Sequence, residues 1–201
     1  MDLPPFAVTW DYLCPFARNA HEHLVVALEA GAPWDVTFVP FSLMQSHVEE
    51  GETPVWEQPE KPRGVLALEA GIVARDRFAE RFLAVHRGLF AARHDRGLEL
   101  ADPDVVDDVL TAAGVPADEV RKEIADGWPL EELRRAHEAA VAEHQVFGVP
   151  TFVVGDQGVF VRVMTRPGGD AALARDTVER LVRLVADHPE VNEFKHTTIP
   201  Q

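Results

Sequence analysis

The strand-forming signal of this 201-residue chain sits at its two ends and vanishes between Phe41 and Val149. Near the start, Phe6-Ala7-Val8-Thr9-Trp10 is a short β-prone run, and residues 35–41, with Val36, Phe38, Val39 and Phe41, form a second. Between them Phe16, Ala20, Leu24, Ala27 and Leu28 recur at helical spacing, and Gly31 supplies a left-handed stop before Pro33. Two strands joined through a helix form a βαβ unit, whose strands are parallel and whose crossover is right-handed. Near the end, Val149-Pro150-Thr151-Phe152-Val153-Val154, a Gly155-Asp156-Gln157-Gly158 turn and Val159-Phe160-Val161-Arg162-Val163 read as an antiparallel hairpin. An amphipathic helix over 170–186 follows, and the tail 188–201 reads as irregular.

The middle of the chain is helical. Residues 42–63 carry Pro54, Pro59 and Pro62 around Trp56 and predict an irregular segment, either a lid or a long connection. From Gly64 a helical region bearing Leu66, Leu68, Ile72, Val73, Phe78, Phe82, Leu83, Val85, Leu89 and Phe90 runs until Gly97 ends it. Asp102-Pro103 is an N-cap followed by a first-turn proline, Gly114-Val115-Pro116 closes that helix, and helices over 117–126 and 129–145 complete the block. The order is βαβ, helices, then ββα. The expected division is 1–63 with 146–201 as one domain, and 64–145 as an all-helical insertion.

Composition narrows the function classes. Net charge is −15, and the 19 Lys and Arg are scattered, so a phosphate backbone is repelled and nucleic-acid binding is not expected. Met1-Asp2-Leu3-Pro4-Pro5 has no basic region leading into an apolar one, and no later apolar run reaches bilayer length, so no membrane partner and a cytoplasmic location are expected. A single cysteine, Cys14, rules out an internal disulfide and a multi-cysteine metal cluster.

Cys14-Pro15-Phe16-Ala17 lies where the first strand gives way to a helix, with Pro15 suited to the first helical position. Backbone N–H groups and the helix dipole converge on a sulfur there, which predicts a lowered pKa and a nucleophilic thiolate. A buried cysteine filling the junction is the bland alternative. Gly148-Val149-Pro150-Thr151 places a proline at the head of a strand, where either a cis or an ordinary trans bond fits. Trp10 and Tyr12 flank the loop and read as pocket lining or as core, and Arg18 as a solvated helix arginine or a partner for a thiolate. No metal site is expected: His21 and His23 point to different sides of a helix, and His137 and His144 are two turns apart.

Taken together and in this order, the motifs resemble the DsbA-like branch of the thioredoxin superfamily over nearly the whole chain. Trp10-Asp11-Tyr12-Leu13-Cys14-Pro15-Phe16-Ala17 looks like that family's strand and Cys-Pro-x-Cys motif, and Gly148-Val149-Pro150-Thr151-Phe152 like its cis-proline loop. Residues 98–116 are similar to a segment of bacterial members, and His188-Pro189-Glu190-Val191-Asn192-Glu193-Phe194-Lys195 to actinobacterial members that use mycothiol. The resemblance implies an α/β thioredoxin fold with an all-helical insertion, a cis Val149–Pro150 bond against Cys14, and a Val149 backbone that pairs with a thiol substrate. It implies Cys14 as the catalytic residue, with Trp10, Tyr12, Pro15, Phe16, Ala17, Val149, Pro150 and Thr151 around the bound thiol. Ala17 stands where a resolving cysteine would be, which points to a monothiol cycle completed by mycothiol or glutathione as co-substrate, with no tightly bound cofactor. The partners implied are small thiols, disulfides or electrophiles, with a homodimer left open. Two other readings share the architecture: the kappa-type glutathione transferases and 2-hydroxychromene-2-carboxylate isomerases, in which a hydroxyl usually replaces the sulfur, and a redox-inactive binding protein.

Overall fold

In the computed structural model, which describes residues 3–193, 195, 196 and 198, β1 (Phe6–Trp10), β2 (Val36–Pro40), β3 (Thr151–Val154) and β4 (Gln157–Phe160) form one sheet in the order β2-β1-β3-β4. β1 and β2 are parallel, and β3 runs antiparallel to both β1 and β4. α1 (Pro15–Glu29) makes the crossover, and α7 (Ala171–Asp187), the last helix among the described residues, packs on α1. Between β2 and β3 the described residues contain no strand but five α-helices: α2 (Val65–Arg77), α3 (Ala79–His94), α4 (Pro103–Ala112), α5 (Ala117–Ala125) and α6 (Trp128–His144). This is the thioredoxin-like arrangement with a helical insertion. None of these helices is long and apolar enough to cross a membrane. Phe194, part of the C-terminal similarity, lies outside the described residues, as do Met1, Asp2, Thr197 and 199–201.

Three local expectations change. The single helical region from Gly64 is two helices, broken at Phe78, whose φ of −131° and ψ of 48° leave the helical well without a glycine or proline. The break lets α3 fold back on α2, with Phe78 half-buried against the core. The hairpin turn is Gly155-Asp156 alone, since Gly155 takes a φ of +58° and Gln157 and Gly158 already pair with Val154 and Val153. β3 starts at Thr151 rather than Val149, because Pro150 has no N–H to give the ladder. The segment 42–63 contains one short 3-10 helix, Gln45–His47, and is anchored at two points: Val55 is buried, and Lys61 Nζ donates to both carboxylate oxygens of fully buried Glu69 at 2.7 Å.

A buried polar chain ties the insertion to the sheet. His21 Nε2 lies 3.1 Å from Thr9 O, His86 Nε2 lies 2.9 Å from His21 Nδ1, and Tyr12 Oη lies 2.9 Å from His86 Nδ1. A carbonyl oxygen can only accept, so His21 carries its proton on Nε2 and accepts at Nδ1, His86 then donates from Nε2, and Tyr12 donates its hydroxyl. Both rings must be neutral for every group to be satisfied. Burial enforces this, taking His21 from 6.5 to about 4 and His86 well below its ordinary value. The Tyr12 ring also sits over Gly71 of α2, where an added methyl would overlap its hydroxyl.

Unfolding frees both imidazoles to take up protons that the folded state refuses, so their contribution to stability is present above pH 6.5 and is lost as pH falls toward about 4. Asp11, raised from 3.8 to about 6, works in the opposite direction, its ionisation opposing folding as pH rises through that value. Burial also lowers His23, His94 and His137 and raises Glu69, so with five such histidines against two carboxylates the midpoint of thermal unfolding should fall between pH 7 and pH 4.5, and His86→Phe should make that slope shallower. At pH 7 the same change strands Tyr12 Oη and His21 Nδ1, at about 1–3 kcal/mol each. Gly71→Ala should lower the midpoint despite alanine's helix preference of about 1 kcal/mol, and should lower it less in a Tyr12→Phe background. Equal losses in both backgrounds would show that the hydroxyl is not what requires the glycine.

Candidate functional site

Cys14 is the N-cap of α1, with Pro15 in the first turn, so the sulfur faces the unpaired N–H groups that begin the helix. Ala17 N donates to Sγ at 3.4 Å, and Sγ in turn donates its proton to Val149 O at 3.2 Å. The Val149–Pro150 peptide bond is cis. These contacts join the first turn of α1 to the loop before β3, residues far apart in the chain.

The loop carrying the cysteine is held from three directions. Asp11 Oδ1 accepts from Leu13 N at 2.8 Å, an Asx-turn, and Oδ2 accepts from Leu43 N at 2.8 Å across the end of β2. His94 Nε2 of α3 donates to Tyr12 O at 2.9 Å, while Tyr12 Oη is bound to His86 one helix face along. On the other side Thr9 Oγ1 accepts from Thr151 N at 2.9 Å, and Thr151 Oγ1 donates to Gly148 O at 2.8 Å.

The expected low pKa of Cys14 does not survive the geometry. Burial pushes the thiol up and outweighs the N–H groups of Ala17 and Phe16 that pull it down; Asp11 adds to the rise and Arg162 opposes it. With only 7% of the residue exposed, the helix start cannot compensate for lost hydration, and the resting sulfur is a neutral thiol that donates to Val149 O.

Of the residues expected around a bound thiol, Phe16 and Ala17 through their N–H groups and Val149 through its carbonyl meet the Cys14 sulfur, and Pro150 follows Val149 across the cis bond. Pro15 is exposed beside them. Trp10 and Tyr12 are not pocket residues: both are fully buried, Trp10 against Phe82 and His86 at ring distances of 6.0 and 5.4 Å, and Tyr12 against Phe90 at 4.9 Å. They face the helical insertion because an aromatic at the end of β1 meets α3 there. Thr151 is buried and spends its hydroxyl on the loop backbone. Arg18 is not solvated; it is buried, pairing with Glu22 and, at 2.7 Å, with Asp95.

Sequence reasoning missed Asp11, Phe147, Phe160 and Arg162. Asp11 was readable as a turn-forming Asp two residues before Leu13, and Arg162 as the lone charge in an apolar run; nothing in the sequence signalled the two phenylalanines. Phe147 is 71% exposed and its ring lies 5.2 Å from that of Phe160, whose edge borders Gly148 of the cis-proline loop. A separate groove of about 530 Å³ between the sheet and α6, lined in part by Thr37, Val39, Arg75 and Ala139, includes neither Cys14 nor Val149. Among the described residues no group of three or more His, Cys, Asp or Glu could hold a metal ion.

Comparison with solved structures places the fold among known ones. The chain is similar to a 2-hydroxychromene-2-carboxylate isomerase, with a TM-score of 0.60 at 17% identity over 90% of this chain and 98% of that one. It is similar to a probable DsbA oxidoreductase from Streptomyces coelicolor, with a TM-score of 0.59 at 17% identity over 96% and 93%. Pseudomonas aeruginosa DsbA gives 0.56 at 20% identity over 95% and 92%. At such identities these likenesses speak for the fold alone. Comparison with curated proteins finds no matching relative. The DSBA-like thioredoxin domain model matches residues 8–168, taking in Cys14, the helical insertion and the cis-proline loop, and the chain therefore belongs to the DSBA-like thioredoxin domain family.

Proposed function

We propose that this protein is a single-cysteine thiol-disulfide oxidoreductase, in which Cys14 exchanges disulfides with a small thiol, mycothiol or glutathione, in the cytoplasm. The observation that carries the reading is the position of Sγ, between Ala17 N at 3.4 Å and Val149 O at 3.2 Å of the cis-proline loop. A sulfur so placed has hydrogen-bond donors for its anion on one side and, on the other, a backbone carbonyl that an incoming disulfide displaces from the thiol proton.

The cycle needs no second cysteine. Cys14 loses its proton to solvent, and the thiolate is met by the N–H groups of Phe16 and Ala17. It attacks one sulfur of R–S–S–R′, forming Cys14–S–S–R and releasing R′S⁻, which takes up a proton. A further thiolate R″S⁻ attacks the R sulfur, forming R–S–S–R″ and returning Cys14. The number of disulfides is unchanged, so no external oxidant enters.

The neutral resting thiol supports a second reading: a protonated Cys14 could serve as a hydrogen-bond donor that holds the thiolate of a bound cofactor, as a hydroxyl does in the kappa-type transferases and isomerases. Cys14→Ser separates the two. In the oxidoreductase it abolishes both the mixed disulfide and turnover, whereas in the second case it preserves turnover, with a hydroxyl in the same role.

Two outcomes follow from the site. Alkylation of Cys14 by iodoacetamide should still be accelerating above pH 9.0, the ordinary thiol value, because burial holds the thiol protonated; a plateau below about pH 7 would contradict this. After loading with a small disulfide and removal of free thiol, the Cys14 adduct should persist by intact mass. In Ala17→Cys it should be discharged as an intramolecular disulfide, since position 17 lies one turn along α1 with its backbone N–H already on the sulfur. An adduct equally long-lived in both chains would count against Cys14 as a redox nucleophile at this helix start.

A further inference from the structure

The rim of the Cys14 site carries a cation with no carboxylate partner. The Arg162 guanidinium carbon lies 5.3 Å from the Phe16 ring centre and 5.7 Å from that of Phe160, so the group rests between a side chain of the α1 first turn and one of β4. Among the described residues no Asp or Glu pairs with it. Its neighbour Arg166 differs, sharing Asp95 with Arg18 at 3.2 Å. The chain has 34 acidic residues against 19 basic ones, and yet this exposed guanidinium is held by aromatic faces and keeps its N–H groups for something else.

The arm bearing it is fixed on both sides. Val161 N donates to Pro150 O at 3.0 Å, immediately after the cis bond, and Asn19 Nδ2 donates to Val163 O at 2.9 Å. His23 Nε2 lies 3.0 Å from Thr165 O and holds the segment further along. Arg162 is therefore carried on backbone tied to the cis-proline loop and to α1, the two elements that hold the sulfur, and its charge reaches Sγ. Phe147 extends the same rim as an exposed apolar surface. A ligand whose sulfur meets Cys14 thus finds an apolar wall and, beside it, a planar cation with free donors.

Building on the thiol-exchange reading, we propose that Arg162 determines specificity at this site by binding a carboxylate of the small thiol or disulfide that engages Cys14. A guanidinium pairs with a carboxylate in a bidentate fork, and the flanking Phe16 and Phe160 rings restrict where that fork can sit. The partner is then a carboxylate-bearing thiol. Glutathione carries ionised carboxylates and mycothiol does not, so the inference ranks the first above the second.

The test compares three disulfides of different charge on wild type, Arg162→Gln and Arg162→Lys: oxidised glutathione (anionic), bis(2-hydroxyethyl) disulfide (neutral) and cystamine (cationic). The readout is the rate of Cys14 adduct formation by intact mass. Wild type should favour the anionic disulfide, and Arg162→Gln should reduce the anionic-to-neutral rate ratio roughly tenfold or more, the scale of a charged hydrogen bond. Arg162→Lys should recover part of it, and added salt should erode it. If Arg162→Gln slows all three disulfides by one factor, the arginine acts only on the charge state of the sulfur and the proposal fails. A second arm does not depend on Cys14 chemistry: S-methylglutathione is titrated by NMR into Cys14→Ser with and without Arg162→Gln. Weakened binding in the double variant supports the carboxylate site even if wild type forms no adduct with any disulfide, which would instead remove the exchange reading. Equal binding to both chains overturns the carboxylate site.

Discussion

The chain of hydrogen bonds from Thr9 through His21 and His86 to Tyr12 is the constraint on which the rest of the molecule turns. A thioredoxin-like sheet with α1 and α7 on it could bury its apolar faces without reference to a helical block. Here the block must dock in one register, because a slip of α3 by one residue would leave the His86 imidazole, His21 Nδ1 and the Tyr12 hydroxyl unpaired in the core, where each stranded group costs about 1–3 kcal/mol. Apolar contacts between Trp10, Phe82 and Phe90 supply area but tolerate sliding. The polar chain supplies direction, since its protons can be arranged in one order only.

That register reaches the sulfur. Tyr12 is held at its hydroxyl by His86 and at its carbonyl by His94, so α3 fixes a residue two positions before Cys14. Asp11 binds the same loop to the end of β2, and Thr9 binds β1 to the strand that follows Pro150. The cysteine loop and the cis-proline loop are thus both referred to β1, and the short distance from Sγ to Val149 O follows from that common support. The cost is dehydration. A thiol locked this firmly between two loops loses water faster than the helix start returns charge stabilisation, which is why Cys14 is raised rather than lowered.

Much of this was legible in the sequence because its signals are local. The capping Asp102, Pro15 in a first turn, the β-prone run around Phe152 and the helical spacing after Gly64 depend on neighbours within a turn or a strand, and these elements start close to where they were expected. The break at Phe78 was not legible, since its cause is α3 folding back on α2 and no glycine or proline marks it. The choice between pocket and core for Trp10 and Tyr12, which the structure decides for core, was not legible for the same reason. Their position beside the cysteine suggested a pocket, but which face of the β1 end meets α3 is a tertiary fact. His86 looked like any histidine of an apolar helix, and only its partner 65 residues earlier makes it structural.

The replacement that matters most chemically, alanine at position 17, changes little in the packing. Ala17 is fully buried and offers its N–H to Sγ, a backbone interaction that depends on no side chain and that proline alone would remove. On the proposed thiol-exchange cycle, the site keeps its sulfur between Ala17 N and Val149 O while lacking the group that would end a covalent adduct from within. A dithiol site can release its partner by forming its own disulfide, and so depends little on what the partner looks like beyond the attacked sulfur. A one-cysteine site must wait for a second molecule, and it gains from features that hold a particular partner long enough for that molecule to arrive. On the proposal made above, the Arg162 guanidinium, flanked by Phe16 and Phe160 on backbone anchored to the cis-proline loop, is such a feature. In a chain of net charge −15, it also offers the one kind of ligand that the rest of the surface repels a local point of attraction.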